Sequence, residues 1–255
     1  MTLLTDTDLY IRGAETLIAS WEAIARGSRG AAVLRTRGVA AAVFPADPER
    51  GIYNNALLER DLPPAERDDA VAAMEAAYAS AGVDRFAAWV HESDAAMRAE
   101  LEARGYTIDA STRAMGMALG DIRRVPDEMD IAPAGWSEYL RYLEAFELPP
   151  DLLGGVDPTA FHVLVARLEG DVVATGLAFD LGDDCGIYNV STVERARRRG
   201  IGTALTARLV HDAAERGRGT ATLQSTEMAE GVYASVGFRD LGRFLEYAGA
   251  GRAPV

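Results

Sequence analysis

The chain is short of the residues that most metal, redox and export functions need. Cys185 is the only cysteine among 255 residues, so no internal disulfide can form and nothing points to an oxidising compartment. The three histidines, His91, His162 and His211, have no metal-ligand spacing with one another or with Cys185, so no metal is implied. No Gly-x-Ser-x-Gly elbow is present to support a serine hydrolase. No apolar run approaches the ~18 residues of a membrane-spanning helix. The first residues carry Asp6 and Asp8 where a signal peptide has a basic segment. Positive charge is scarce, with 26 basic against 39 acidic residues and a net charge of −13. That balance repels phosphate polymers and anionic lipid, so neither nucleic acid nor membrane is expected as a partner. The expectation is a soluble cytoplasmic protein with enough apolar residues, 49%, for one large core or two smaller ones.

Against this acidic background one stretch is basic. An apolar run reading as a strand ends near Val193 and is followed by Glu194-Arg195-Ala196-Arg197-Arg198-Arg199-Gly200-Ile201-Gly202. A helix is expected over residues 203–216, where Leu205, Leu209 and Ala213 fall at i, i+4 and i+8. Backbone amides at the start of such a helix form a concave donor cluster for an anion. The two glycines let a ligand approach the main chain with no Cβ in the way. Neither G-x-G-x-x-G nor G-x-x-x-x-G-K-[ST] occurs here, so this is not a dinucleotide fingerprint or a nucleoside-triphosphate loop.

Arg197 to Gly202 reads Arg-x-x-Gly-x-Gly, which resembles the pyrophosphate loop of the GNAT superfamily of acetyl-CoA-dependent N-acyltransferases. The likeness continues through Leu223-Gln224-Ser225-Thr226 and through Ala229 to Phe238, and it covers roughly the last 125 residues. Tyr233, four residues before Gly237-Phe238, falls where that family commonly has its acid tyrosine. The resemblance implies acetyl-CoA as cofactor, held by Val190, Thr192, Val193, Arg197, Arg198, Arg199, Gly200, Ile201, Gly202, Thr203 and Ser225. It further implies acetyl transfer to a primary amine of a small molecule, by direct attack in a ternary complex, in a monomer or homodimer.

The order of elements suggests that the plan occurs twice. In the first half, a helix over 14–25 precedes strands at 31–34, 39–44 and 54–58, a helix from Pro64 or Ala65 to Ala81, a strand at 85–90, a helix at 94–104 capped by Ser93, and a strand at 113–119. In the second half, a helix over 135–146 precedes strands at 161–168, 172–179 and 185–193, the basic loop with its helix, a strand at 220–225, a helix at 228–236 and a strand at 244–247. Gly51-Ile52-Tyr53-Asn54 recurs 135 residues later as Gly186-Ile187-Tyr188-Asn189, and Gly105-Tyr106 recurs 132 residues later as Gly237-Phe238. The expected fold is therefore α/β (α+β), two tandem GNAT-like folds, each a mixed, mostly antiparallel sheet flanked by helices. Residues 1–121 would be a degenerate copy and 126–255 the acetyltransferase domain, with Ile122 to Pro126 as linker.

The copies differ where the chemistry would sit. In place of the basic loop the first half has Leu62-Pro63-Pro64-Ala65-Glu66-Arg67. Its prolines remove amide donors and Glu66 adds negative charge. At the offset of 132 the counterpart of Tyr233 is Leu101. In the second half the reaction asks for a donor to the thioester carbonyl, supplied in this family by a backbone amide near Val190 to Thr192, and for a proton to the departing thiolate, given to Tyr233. For a base, Glu144, Glu147, Asp151, Glu194 and Glu227 stand beside a water chain as alternatives. Asn189 or Tyr188 would face the acceptor. A module that binds acetyl-CoA without turnover, and an enzyme acting on protein amines, are the competing readings; Tyr233 favours catalysis.

Overall fold

A computed structural model of the chain describes residues 4–46, 53–120, 129–144 and 153–249. The chain forms two compact units, each drawn from two separate stretches: Met1–Ser20 with Arg113–Leu241, and Trp21–Thr112 with Gly242–Val255. We call these the C-terminal and N-terminal units. This division differs from a single boundary between residues 121 and 126, because the last strand of each sequence half pairs within the other unit. The expected linker, together with Gly51, Ile52, Glu147 and Asp151, lies outside the described residues.

In the C-terminal unit the strands are β6 (Asp130–Pro133), β7 (Phe161–Leu168), β8 (Asp171–Leu181), β9 (Asp184–Thr192) and β10 (Thr220–Ser225). The 113–118 segment of β5 (Thr107–Ala118) completes the sheet, in the order β6-β7-β8-β9-β10-β5. All neighbours are antiparallel except β9 and β10. The β7–β8 hairpin turns through Glu169 at φ +54° and Gly170 at φ +90°, the mirror-image two-residue turn whose twist suits the flanking strands.

Helix α5 (Ile201–Glu215) covers one face of this sheet. The spacing that foretold it also buries it: Leu205, Leu209 and Ala213 are all fully enclosed. It lies so close that a Cβ on Gly176 of β8 would come within 2.7 Å of Leu209 Cδ1. The other face meets α1 (Asp6–Gly27), whose residues as far as Ser20 belong to this unit. There the buried Asp184 carboxylate accepts hydrogen bonds from the hydroxyls of Thr16, Thr220 and Thr222, each at 2.7 Å. Helix α1 begins eight residues before its expected start, because Thr5 and Asp8 cap it reciprocally: Asp8 N donates to Thr5 Oγ1 and Thr5 N to Asp8 Oδ2.

The N-terminal unit contains β1 (Ala32–Thr36), β2 (Val39–Val43), β3 (Asn55–Leu58), α2 (Pro64–Ala81), β4 (Ala87–His91) and α3 (Ala95–Ala103). Its sheet runs β1-β2-β3-β4 and ends on residues 244–248 of β11 (Arg239–Ala248), with β3 and β4 the parallel pair. Asp94, rather than Ser93, caps α3 by accepting from Met97 N at 3.0 Å. Both units thus share a three-strand meander, a helix, a parallel strand and a second helix.

The two sequence repeats fare differently. Gly105 at φ +86° and Gly237 at φ +121° each end a helix, and the next amide returns to a matching carbonyl: Tyr106 N to Leu101 O at 3.0 Å, Phe238 N to Tyr233 O at 3.1 Å. Leu101 is therefore the structural counterpart of Tyr233. The four-letter repeat has no such equivalence. Asn54 precedes the β3–β4 ladder, which begins at Asn55, whereas Gly186 and Ile187 are the last rungs of the β9–β10 ladder. Asn54 therefore does not share the register of Asn189, and Gly51 and Ile52 lie outside the described residues.

Candidate active site

Strand β9 pairs with β10 only from Asp184 to Ile187, although β10 continues to Ser225. Beyond Ile187 the two parallel strands part, leaving β9 without a strand partner on that side among the described residues. An irregularity lies at the same point. Between Thr175↔Ser191 and Leu177↔Tyr188, β8 advances two residues and β9 three, so β9 carries a bulge, and Asn189 within it takes φ +51°. Asparagine is among the few non-glycine residues that adopt this left-handed conformation readily.

The bulge decides which amides face the opening. Val193 N donates to Val173 O on β8 at 2.9 Å. Strand alternation then turns the amides of Val190 and Thr192 away from β8, towards the side that β10 has vacated. Val193 itself has no amide to offer a ligand, so its expected cofactor contact is limited to its side chain, which packs on the core.

After Thr192 the chain makes one tight turn over Glu194–Ala196, burying Ala196, and Arg197 Nε donates back to Thr192 O at 3.1 Å. Arg198 at φ +63° and Gly200 at φ +77° curl the loop into the start of α5. That helix begins at Ile201, two residues before its expected start, so Gly202 lies in its first turn, and no side chain caps its N-terminus. Among the described residues the first intrahelical bond here is Ala204 N to Gly200 O, and the amides of Arg198, Arg199, Gly200, Ile201, Gly202 and Thr203 have no backbone acceptor. The side chains of Arg197, Arg198 and Arg199 are exposed around them. A Cβ on Gly202 would sit 3.9 Å from both Thr192 Oγ1 and Val232 Cγ1. The glycine therefore lies between the strand end and α6 (Glu230–Val236).

Tyr233 is on α6, with its ring edge-on to Phe238 at 6.1 Å between centroids. Burial pushes its hydroxyl up to about 12. Among the described residues that hydroxyl makes no hydrogen bond. Ser225 is buried at the end of β10 and spends its hydroxyl on Thr226 O at 2.8 Å, so it is turned to its own chain.

Two buried tyrosines that the sequence reading missed hold the side chains of β9 at this point. They lie one turn apart on α4 (Trp136–Glu144). Asn189 Nδ2 donates to the Tyr139 hydroxyl at 2.8 Å, and Ser191 Oγ donates to the Tyr142 hydroxyl at 3.2 Å. Tyr142 in turn donates to Val173 O at 3.4 Å. Burial pushes the Tyr142 hydroxyl up, opposed by the Ser191 bond and the Arg197 charge. The i, i+3 spacing of these aromatic residues was visible, but a buried stripe with the same spacing carries no such signal. Asn189 thus faces α4, while Tyr188 folds over Gly186, where a Cβ would lie 2.1 Å from its hydroxyl oxygen.

The candidate bases Glu144, Glu194 and Glu227 are all exposed. Among the described residues no three His, Cys, Asp or Glu gather to hold a metal, and no helix is long and apolar enough to cross a membrane.

Residues 159–240 match the family model described as the acetyltransferase (GNAT) domain. No curated protein matches the chain. Among solved structures, the GCN5-related N-acetyltransferase from Kribbella flavida is similar at TM-score 0.70 and 19% identity, over 94% of this chain and 96% of that one. The GCN5-related N-acetyltransferase from Sphaerobacter thermophilus gives 0.65 and 17%, over 95% and 87%. A tandem GNAT protein from the clavulanic acid biosynthesis pathway gives 0.60 and 14%, over 99% and 98%. These likenesses establish the fold.

Proposed function

From the match of residues 159–240 to the acetyltransferase (GNAT) domain model, we propose that this chain is a GNAT-type, acetyl-CoA-dependent N-acetyltransferase acting on a small primary amine. One observation carries the reading. Six amides without backbone acceptors lie beside a parted pair of parallel strands, and across Gly202 stands the helix of Tyr233, whose hydroxyl makes no hydrogen bond among the described residues.

The donor set fits the cofactor. The amides of Arg198 to Thr203 suit a pyrophosphate, since they combine unpaired donors with the positive end of α5, and the surrounding arginines add charge. When bound, acetyl-CoA supplies an activated acyl group on a thiolate leaving group. The amides of Val190 and Thr192 stabilise negative charge developing on the acyl oxygen. Tyr233, neutral at physiological pH like any tyrosine and pushed further up to about 12 by burial, would hold a proton for the leaving sulfur. The amine would attack directly in a ternary complex and lose its proton to water, which would also return one to Tyr233; of the carboxylates considered as bases, Glu144, Glu194 and Glu227 are exposed.

The N-terminal half is, in this reading, a GNAT-like copy that has lost its cofactor site. Pro63 and Pro64 stand at the start of α2, and Glu66 there is paired to Arg37 at 2.9 Å. The test is release of free thiol from acetyl-CoA in the presence of a panel of primary amines. All 26 basic residues are arginine, so the protein has no lysine side chain of its own to acetylate and the signal reports the added amine. Binding of acetyl-CoA with no amine-dependent thiol release across the panel would favour the non-catalytic module.

A further inference from the structure

We infer that Tyr139 and Asn189 form a positioning pair, which holds the bulge of β9 so that the amides of Val190 and Thr192 stay aimed at the acyl carbonyl. The inference rests on the proposed acetyl-transfer function. Asn189 is the residue at φ +51° in the bulge, and the bulge is what switches the alternation of β9. With one residue fewer, Asn189 and Ser191 would present their amides to the opening instead.

At Asn189 strand β9 is flanked by β8 on one side and has left β10 on the other, so a contact from a helix adds to what fixes the bulge. Tyr139 is fully buried, and its hydroxyl accepts from Asn189 Nδ2 at 2.8 Å. A second tether lies two residues on. Val173 O receives both Val193 N and the Tyr142 hydroxyl, and Tyr142 receives Ser191 Oγ. Helix α4 therefore grips β9 at Asn189 and again at Ser191, on either side of the Val190 amide. Neither tyrosine touches the reacting atoms; each acts through the backbone.

The test replaces Tyr139→Phe, which keeps the ring and removes the acceptor. In ligand-free, 15N-labelled protein the Val190 and Thr192 amide resonances should move, and those of the Arg198–Thr203 loop should not. With 13C-carbonyl acetyl-CoA bound, the infrared carbonyl stretch should return towards its frequency in free acetyl-CoA. Turnover should fall roughly 5–50-fold while CoA affinity stays within about twofold, because only the acyl contact is loosened. Adding Asn189→Gly should restore much of the turnover, since glycine adopts the left-handed conformation unaided. Should Tyr139→Phe lose its fold by circular dichroism, Asn189→Ala removes the same bond from the other side and should change the carbonyl frequency equally. A wild-type carbonyl frequency in a folded variant lacking this bond would overturn the inference alone. Wild-type protein that binds no acetyl-CoA would overturn the functional reading, and this inference with it.

Discussion

The starts of α2 and α5 follow the same strand of the two meanders, yet an anion would meet opposite chemistry at each. At α5 the helix opens from a left-handed glycine, six amides lack backbone acceptors among the described residues, and exposed arginines surround them. At α2 the first positions are Pro63 and Pro64, which have no amide hydrogen, and Glu66 places a carboxylate in the first turn. The contrast continues one helix later, where Tyr233 has Leu101 as its counterpart, buried among apolar neighbours. Architecture is common to both units; what separates them is a handful of residues at helix starts. A fold of this kind keeps its stability in the sheet and the buried helix faces, and so can lose a binding loop without losing its core.

The sharpest way to break the comparison is at Tyr233, the proposed acid. Tyr233→Phe keeps the ring against Phe238, so CoA affinity and thermal stability should change little while turnover falls roughly 10–1000-fold. A thiolate leaves fairly well unaided, which favours the lower part of that range. Unchanged turnover would reduce Tyr233 to the packing role that Leu101 plays.

Next in size is the cradle itself. Gly200→Val forces a β-branched residue to φ +77°, where the strain is ~1–3 kcal/mol, and it covers the adjoining amides. Affinity for CoA, measured by calorimetry, should drop by roughly tenfold or more. The fold should survive, because a Cβ there meets only Met129 Cε, at 3.7 Å. Undiminished affinity would take this loop out of the site.

Stoichiometry sharpens the contrast without mutation. The chain should bind one equivalent of CoA, and two equal sites would show that prolines and a glutamate at α2 do not disable a cradle. The smallest effect concerns pH. Tyr233 must be protonated to act as an acid, and its pKa is raised to about 12, so its contribution persists with rising pH until that range is approached. Turnover at saturation should therefore show no alkaline decline below pH ~10. An alkaline limb centred near 9, absent from Tyr233→Phe, would contradict the burial that sets this value.

Much of the candidate site's local structure was legible in the chain, and the reason is local. A strand, a Gly-containing basic loop and an amphipathic helix are written in consecutive letters, and Tyr233 follows at fixed spacing from a glycine whose helix-ending role is local too. The β-bulge was not legible, because Asn189 adopts its left-handed conformation through pairing with β8 and contact with a helix some 50 residues away. The tyrosines of α4 were hidden for the same reason. The Gly-Ile-Tyr-Asn repeat misled because letters were matched without the ladder that sets their register. The compact units differ from the sequence halves for a further reason: which sheet a terminal strand joins is decided by the available edges, which short-range pattern does not encode.

That exchange of terminal strands also governs the order in which the protein can assemble. In the N-terminal unit, β4 is made early, but its partner segment at residues 244–248 lies more than 150 positions further along. Through most of synthesis the open side of β4 is a row of unpaired peptide groups, including those of Ala88 and Val90, available to any passing strand. Its other neighbour, β3, can join at once, whereas closure waits for nearly the whole polypeptide. The segment around Phe244 thus acts as a late-arriving bolt. A nascent chain halted before it would carry one finished sheet and one exposed edge, the form most prone to mispairing with its own kind.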